Sequence, residues 1–332
     1  MKDDGGDTRL GLIGYGEVGR IFGAGLAPQV AAVSAWDIKL EAARAAAPLV
    51  ARAARDGVHL YGSAAELCRA SNFIISAVTA SSTIAVARGA APYLEPRAVF
   101  LDLNSASPGA KRAAAQAVEA AGAVYVEAGV MASVPPHGVR VPMLLGGPHA
   151  EALAGRLRAW GMDATAVADE VGVASAIKMC RSVIVKGMEA LVIESFAAAR
   201  AYGVEDRVLP TLQKTFPGID WPAQARYFFS RVVQHGRRRA EEMREVADTV
   251  RQAGFAPSMS SAAAVKQDAV ADLAAAGLFR DIDKDDPWQA YADLMIGHAR
   301  AAVDNGQARA SGTTPGPQSS PDRDRARSVP PA

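Results

Sequence analysis

The stretch RLGLIGYGEVGRIFGAGL, residues 9–26, decides the fold that this chain predicts. A short apolar run leads into glycines in the GxGxxG spacing, and a helical pattern follows directly. Gly14 permits a tight turn, Gly16 lets the backbone approach a pyrophosphate, and Gly19 allows a helix to pack closely on a strand. The stretch therefore predicts a dinucleotide-binding unit of strand, loop and helix.

The residues after the loop complete this predicted cofactor site. Glu17 and Val18 open the helix, where free backbone N–H groups bind phosphates. The next apolar run, VAAVSAWD, ends in Asp37, at the distance along the chain expected of a carboxylate that binds an adenosine ribose. Its charge would repel a 2′-phosphate, so we expect NAD, with NADP as the alternative because Lys39 lies close by. A glycine-rich turn with an incidental acid is the other interpretation, and the complete order of elements favours the cofactor.

Apolar runs alternate with alanine-rich helical stretches through the first half of the chain. The runs are RLGLI, VAAVSAWD, GVHLY, NFIISAV, AVFLDLN, AVYVEAGV, VPMLLGG and DATAVA. Strands of this kind, covered on both faces by helices, are typical of an α/β Rossmann-like doubly wound parallel sheet, which we predict over residues 8–168. Only helical periodicity follows, so an all-α C-terminal domain is predicted over 169–305. The remainder, 306–332, is rich in Pro, Ser and charge and is predicted to be a disordered tail.

Composition excludes several classes of function. The formal net charge is +1 and the basic residues are spread along the chain, so no electrostatic footprint for a nucleic acid or an anionic membrane is present. No apolar run approaches the length of a membrane span, and no apolar signal region follows the N-terminus. The two cysteines, Cys68 and Cys180, have neither a CxxC nor a His-paired spacing, and no metal cluster is predicted. We expect a cytoplasmic protein that binds a small molecule.

Two further segments are predicted to lie at the cofactor. Val78 and Thr79 end the NFIISAV run, and Asn104 and Ser105 follow the AVFLDLN run. In a doubly wound sheet both positions fall at the carboxyl edge, where the ligand binds. A methyltransferase and an FAD enzyme also use such loops, but the long helical half and the lack of further cofactor-binding sequence argue against them.

Lys178 stands in ASAIKMCRSVIVKG, a helical stretch of small and apolar residues. On a helical wheel Lys178, Ser182, Val185 and Glu189 form one stripe, opposite a wide apolar arc. The stripe faces either water or the cleft between the domains, since this is the first helix after the dinucleotide-binding half. A lysine beside a cationic nicotinamide ring is easier to deprotonate, as a general base for an alcohol requires.

At this point four segments carry a resemblance to a known family. GLIGYGEVG, LDLNSASP, EAGVMASVPPHGVRVPMLLGG and GVASAIKMCRS resemble the successive signatures of the β-hydroxyacid dehydrogenase superfamily. HGRRRAEEMREVADTVRQAGFAPSMSSA is similar to the C-terminal domain of a poorly characterised bacterial subgroup of phosphogluconate dehydrogenase-like oxidoreductases. The resemblance covers nearly all of the chain from Thr8 to about His298. It implies hydride transfer between NAD(P) and a small hydroxy acid or related carbonyl compound.

The resemblance also implies roles for individual residues. Lys178 matches the catalytic lysine, the general acid/base of the family. Met131, Ala132 and Ser133 match the loop where relatives use Ser-Gly-Gly to hold the substrate carboxylate. Ser182 stands where relatives have an asparagine, and it keeps a shorter hydrogen-bonding group.

Two departures from the family limit what is carried over. Met131 cannot make the hydrogen bond of a hydroxyl, so the acid group of the substrate is expected to be held differently. Val185 stands where 6-phosphogluconate dehydrogenase has a glutamate that acts as an acid, which argues against that decarboxylation. Glu189 and Lys186 are the candidates to substitute for it.

The later helical segment HGRRRAEEM places His235, Arg238 and Glu242 on one face. One interpretation is a solvated ion pair between Arg238 and Glu242. The other is an anion-recognising face turned into the cleft, with His235 in contact with substrate. His137 is expected to be an exposed loop histidine, and Trp221 with the aromatic run 227–229 is expected to pack in a core or a dimer.

The sequence thus predicts an NAD(P)-dependent dehydrogenase or reductase, with two alternatives. An imine-type reductase shares this architecture but generally lacks the lysine, so Lys178 counts against it. A non-catalytic NAD-binding sensor is suggested by Met131 and Ser182, and Lys178 counts against it as well. A homodimer is expected, because the alanine-rich helices offer more apolar surface than one layer hides.

Overall fold

The computed structural model describes residues 5–310. The first half of the chain forms one eight-stranded sheet in the order β3-β2-β1-β4-β5-β6-β7-β8. The strands are β1 (Arg9–Ile13), β2 (Ala32–Trp36), β3 (His59–Leu60), β4 (Phe73–Ser76), β5 (Val99–Asp102), β6 (Val124–Val130), β7 (Met143–Gly146) and β8 (Ala164–Ala168). This strand order places the topological switch between β1 and β4, where a doubly wound sheet binds its ligand.

Helices cover both faces of the sheet. They are α1 (Glu17–Leu26), α2 (Ala43–Asp56), α3 (Ala64–Ala70), α4 (Thr83–Ala90), α5 (Pro108–Ala120), α6 (Val134–His137) and α7 (Ala150–Ala159). Two separate clusters of buried apolar side chains result, one built around Leu12 and Phe22, the other around Ile74 and Phe100. Because the strands are buried on both faces, their sequences read as continuous apolar runs.

The predicted fold class is confirmed, with one strand that departs from an all-parallel sheet. β7 pairs antiparallel with β6, whereas its other neighbour, β8, is parallel to it. The connection between β6 and β7, residues 131–142, holds only short helical turns. Since no crossover helix returns the chain to the opposite edge of the sheet, β7 starts at the edge where β6 ends and runs back.

The second half of the chain is helical. Its elements are α8 (Val173–Tyr202), α9 (Glu205–Thr215), α10 (Trp221–Gln252), α11 (Ser258–Ala275) and α12 (Trp288–Ala310). Trp221, Phe228 and Phe229 are buried in its core with Trp288, while Tyr227 is 50% exposed. α12 runs to Ala310, five residues beyond the predicted end of the helical domain at 305, and residues 311–332 lie outside the described residues.

α10 fastens the helical half to the sheet. Its Glu245 accepts a hydrogen bond from the backbone N–H of Ser107 at 2.7 Å, and its Gln252 accepts one from Gly109 at 2.9 Å. Both amides belong to the start of α5, which follows β5. α10 therefore lies across the carboxyl edge of the sheet and forms one wall of a cleft there. Across residues 5–310, no helix combines the length and apolar character needed to cross a membrane.

Candidate active site

The glycine loop between β1 and α1 has the geometry that its three glycines predict. Gly14 has a φ of +93°, and a Cβ there would overlap the carbonyl oxygen of Ala77. A Cβ on Gly19 would overlap the carbonyl oxygen of Gly14, so α1 packs on the loop without room for a side chain. A Cβ on Gly16, by contrast, would meet nothing within 4 Å. Gly14 and Gly19 are therefore sterically required, whereas open space remains above Gly16.

This space suits a pyrophosphate at the start of α1. No side chain caps the helix N-terminus at Gly16, so the first amides are left for a ligand. Glu17 is exposed, and Val18 is half-buried against the apolar core. The residues present therefore fit the phosphates of a dinucleotide.

Asp37 lies at the end of β2, beside the glycine loop, and is 7% exposed. Its Oδ2 accepts the N–H of Tyr15 at 2.9 Å, and its Oδ1 accepts the N–H of Lys39 at 3.0 Å. The carboxylate thus orders the loop, a role that the sequence did not reveal, and its contact with a ribose stays a prediction. Each oxygen keeps a lone pair for a ribose hydroxyl.

The three residues predicted to lie at the cofactor after β4 and β5 differ in their surroundings. Asn104 is buried, and its side chain accepts from Val78 N at 2.7 Å and donates to Ser76 Oγ at 3.0 Å. It therefore ties the ends of the two strands together. Thr79 is exposed at the same edge, with its hydroxyl 2.9 Å from that of Ser82. Contact of these residues with the cofactor stays a prediction.

Lys178 lies where α8 crosses the sheet. Its Nζ donates a hydrogen bond to Ser105 Oγ at 2.6 Å, just after β5. Gly129 of β6 lies directly below, since a Cβ on it would be 3.0 Å from the carbonyl oxygen of Ala174 and 3.6 Å from the Cβ of Lys178. A glycine at this position lets α8 approach closely enough for its lysine to reach the carboxyl edge.

Burial lowers the pKa of Lys178 from its usual value of 10.5 to about 7. The nearby cations Lys186 and Lys111 lower it further, while Glu242 and Asp102 oppose the shift. A substantial fraction of the Lys178 amine is therefore neutral near pH 7. A neutral amine can accept a proton from a hydroxyl group, and its ammonium form can return one.

A buried ion pair supports this site from below. Lys111 Nζ lies 2.9 Å from Asp102 Oδ1, and both side chains are 1% exposed. The hydroxyl of Tyr125 donates to the other carboxylate oxygen at 2.7 Å. A fully paired buried cluster is rigid, so it fixes the end of β5 from which Ser105 projects.

A second ion pair corrects the interpretation of the HGRRRAEEM segment. Glu242 Oε2 lies 2.6 Å from Lys186 Nζ, with the two side chains 17% and 10% exposed. Burial raises the pKa of Glu242, but the charges of Lys186 and Lys178 outweigh it and hold that pKa at about 2. The predicted solvated pair with Arg238 is wrong, because α10 packs against α8 and turns Glu242 inward, leaving Arg238 exposed.

The rest of the α8 stripe also points inward rather than to water. Glu189 is fully buried and bonds the guanidinium of Arg239 through both carboxylate oxygens, one at 2.6 Å from Nε. Ser182 is 5% exposed, one turn after Lys178 on the same side. Because both oxygens of Glu189 are engaged by Arg239, it is not free to act as the missing acid, and Val185 is half-buried in the stripe between them.

Glu127, on β6, binds the start of α8, and the sequence analysis did not identify it. It is fully buried, and its Oε1 accepts the backbone N–H groups of Gly172 and Ala174 at 2.7 and 3.0 Å. A carboxylate at a helix N-terminus also gains from the helix dipole. Ala174 lies one turn before Lys178, so Glu127 fixes the start of the helix that carries the lysine.

The predicted substrate loop faces α10. Met131 is half-buried, Ala132 and Ser133 are exposed, and Ser133 Oγ accepts a hydrogen bond from Arg231 Nη2 at 3.3 Å. His137, further along, is exposed. Arg231 was not singled out from the sequence, because nothing in the local pattern distinguishes it from the other arginines of α10.

His235 lies one turn after Arg231, where α10 has a non-helical φ of −134°. It lines a cavity of about 430 Å³ together with Glu17 and Arg238, so α10 approaches the glycine loop here. Burial, followed by the charge of Arg238, lowers the pKa of His235 to about 4. The imidazole is therefore neutral at pH 7, and its contact with the substrate stays a prediction.

Comparison with known proteins gives two domain matches. Residues 9–151 match the NAD binding domain of 6-phosphogluconate dehydrogenase. Residues 199–270 match a domain family of unknown function, DUF1932. The first half of the chain is accordingly an NAD-binding domain.

Solved structures cover most of the chain. A conserved hypothetical protein from Sinorhizobium meliloti is 38% identical, with a TM-score of 0.69 over 87% of this chain and 96% of that one. A conserved protein of unknown function, described as structurally similar to 3-hydroxyacid dehydrogenases, is 31% identical, with a TM-score of 0.62 over 80% and 97%. The 3-hydroxyisobutyrate dehydrogenase of Mycobacterium tuberculosis shares the fold, at 18% identity and a TM-score of 0.62 over 87% and 99%.

Proposed function

The chain belongs to the β-hydroxyacid dehydrogenase superfamily, and from that membership we propose that it transfers a hydride between NAD(P) and a small hydroxy acid or related carbonyl compound, with Lys178 as the general acid/base. The observation that carries the proposal is the amine of Lys178 at the carboxyl edge of the sheet, bonded to Ser105 and with its pKa lowered to about 7. A lysine on a surface helix would keep its charge at neutral pH.

The chemistry follows from the states of this amine. Bound NAD(P) supplies the acceptor or donor of the hydride, and the glycine loop with Asp37 would hold it. In the oxidative direction neutral Lys178 takes the proton of the substrate hydroxyl as the hydride leaves the same carbon atom. In the reductive direction the ammonium form returns the proton to the carbonyl oxygen. Ser105 fixes the amine, and Lys186 and Lys111 favour its neutral form.

The reaction proposed ends at the carbonyl compound. Decarboxylation would call for an acid near the reacting carbon, at the position that Val185 occupies. Glu189 is engaged by Arg239, and Lys186 is paired with Glu242. These pairings support a simple dehydrogenase or reductase over the decarboxylating type of enzyme.

We also propose that two copies of the chain associate through α8. Ile177, Ile184 and Leu191 are 41%, 66% and 60% exposed and follow one another at seven-residue intervals, so they form one apolar stripe on the outer side of the helix. A stripe of this kind on a monomer is typical of a protein interface. A cytoplasmic location stays a prediction from the sequence.

The experiment that tests the proposed activity is a screen of hydroxy acids and their keto or aldehyde counterparts, followed by the absorbance of NADH and NADPH. Imines are included, because an imine-type reductase has the same architecture. We expect oxidation or reduction of at least one short hydroxy acid pair. If NADH binds and only imines turn over, the assignment to hydroxy acids is wrong.

A further inference from the structure

Arg231 differs from the other arginines of α10 in having no carboxylate partner although it is half-buried. Four of the others pair with acidic side chains, namely Arg237, Arg239, Arg244 and Arg251. The remaining two, Arg226 and Arg238, are exposed to solvent. Among the side chains that the structure describes, Arg231 contacts only the hydroxyl of Ser133 and, at 6.0 Å, the ring of Tyr227. Its Nε is buried without an acceptor.

A guanidinium in this state has most of its hydrogen-bonding capacity unused. It carries five N–H donors in a planar fork that matches a carboxylate. One of them donates to Ser133 Oγ. A buried donor without a partner is unfavourable, so such groups in native proteins call for an explanation.

Ser133 adds a second donor at the same place. Since its oxygen accepts from Arg231, its own hydroxyl hydrogen is free to donate elsewhere. Met131 and Ala132 have no side-chain donor, so within this loop segment the pair of Ser133 and Arg231 provides the side-chain donors. The loop follows β6, which runs parallel to β5, so it leaves the sheet at the same edge as the segment that carries Ser105, the hydrogen-bond partner of Lys178.

We propose that Arg231, together with Ser133, binds the carboxylate of the substrate and makes the enzyme specific for acids over uncharged alcohols. This inference rests on the proposed function and names the group by which the substrate is recognised. Arg231 acts in binding and orientation, whereas the proton is moved by Lys178.

The test uses the full-length protein and calorimetric titration with glycolate, lactate and 3-hydroxypropanoate, each against an uncharged alcohol of the same carbon skeleton. NADH is titrated first, and the acids are then titrated with and without it. We expect at least one acid to bind with a millimolar dissociation constant. Arg231→Met should weaken the binding of that acid at least tenfold and leave the binding of the alcohols unchanged, since it removes the charge-assisted hydrogen bonds to the carboxylate.

The acid affinity of Arg231→Lys, which keeps the charge and loses the planar guanidinium, should lie between those of wild type and Arg231→Met. The control is Arg226→Met, an exposed arginine of the same helix. With a substrate from the screen, Arg231→Met should raise KM far more than it lowers kcat.

Acids that bind Arg231→Met as tightly as wild type would overturn the inference, and so would the absence of acid binding to wild type. Either result leaves the proposed activity standing if NADH binds and a substrate turns over. Failure of NADH to bind would instead remove the proposed function, while the titrations without NADH still decide whether Arg231 binds acids.

Discussion

Lys178 Nζ lies 2.6 Å from Ser105 Oγ, and this hydrogen bond joins the helical half of the chain to the carboxyl edge of the sheet. The lysine comes from α8 and the serine from the segment after β5, 73 residues apart in the sequence. Each half of the chain thus contributes to the position of the reactive amine. A bond of this kind orients a flexible side chain that otherwise has many rotamers.

Replacement of Ser105 by Ala is expected to lower kcat about tenfold, because the amine loses the hydrogen bond that orients it. The dissociation constant of NADH should stay within twofold. Steady-state kinetics and NADH fluorescence titration measure the two quantities. The control is Ser261→Ala, an exposed serine on α11. Wild-type kcat in Ser105→Ala would show that the bond has no role in catalysis.

The pH dependence of the oxidative reaction follows from the lowered pKa of Lys178. The group is a base, so its active form accumulates as the pH rises through about 7, instead of 10.5 for an ordinary lysine. We expect kcat/KM to rise about tenfold per pH unit below 7 and to level off above it. The reductive reaction uses the ammonium form, so its rate should fall as the pH rises through about 7. A profile for oxidation that still climbs steeply above pH 9 would contradict the shift.

Asp37→Asn is expected to shift coenzyme preference toward NADPH by about tenfold, because a neutral amide removes the repulsion of a 2′-phosphate. The single amide oxygen can still accept the N–H of Tyr15 in the glycine loop, and only the bond from the N–H of Lys39 is lost. Fluorescence titrations with NADH and NADPH measure the preference. Asp163→Asn, at an exposed position, serves as the control. An unchanged ratio of the two affinities would place the ribose elsewhere.

Ile184→Glu is expected to turn a dimer into a monomer, because it puts a charge into the apolar stripe of α8. Size-exclusion chromatography with light scattering gives the molar mass of both proteins at equal concentration. Val50→Glu, at a residue 50% exposed on α2, is the matched control and should remain dimeric. A wild-type molar mass near 34.5 kDa would show that the stripe does not mediate association.

Local patterns predict the parts of the site that depend on neighbouring residues in the sequence. The glycine loop, the acid at the end of β2 and the lysine on α8 are each recognisable within a few residues. The steric demand at Gly19 comes from the carbonyl group of Gly14 in the same loop, which explains why the spacing is informative, whereas Gly14 meets the carbonyl group of Ala77 after β4. The antiparallel β7 depends on how its connection runs, and apolar periodicity carries no sign of strand direction.

Pairings between distant segments could not be predicted. Arg231 and Ser133 are 98 residues apart, and only the packing of α10 across the cleft brings them together. Glu242 has a close alternative partner in sequence, Arg238, and it pairs with Lys186 because α10 turns that face toward α8. Helical periodicity shows which residues share a face, whereas the direction of that face is set by tertiary packing.

The central claim is that Lys178 moves the substrate's proton, and the most direct measurement compares Lys178→Met with wild type on the substrate found in the screen. Lys214→Met, at an exposed lysine, is the control. We predict that kcat/KM of Lys178→Met falls by about a hundredfold or more, while NADH binds within twofold of wild type. Turnover by Lys178→Met at a rate close to that of wild type would contradict the account.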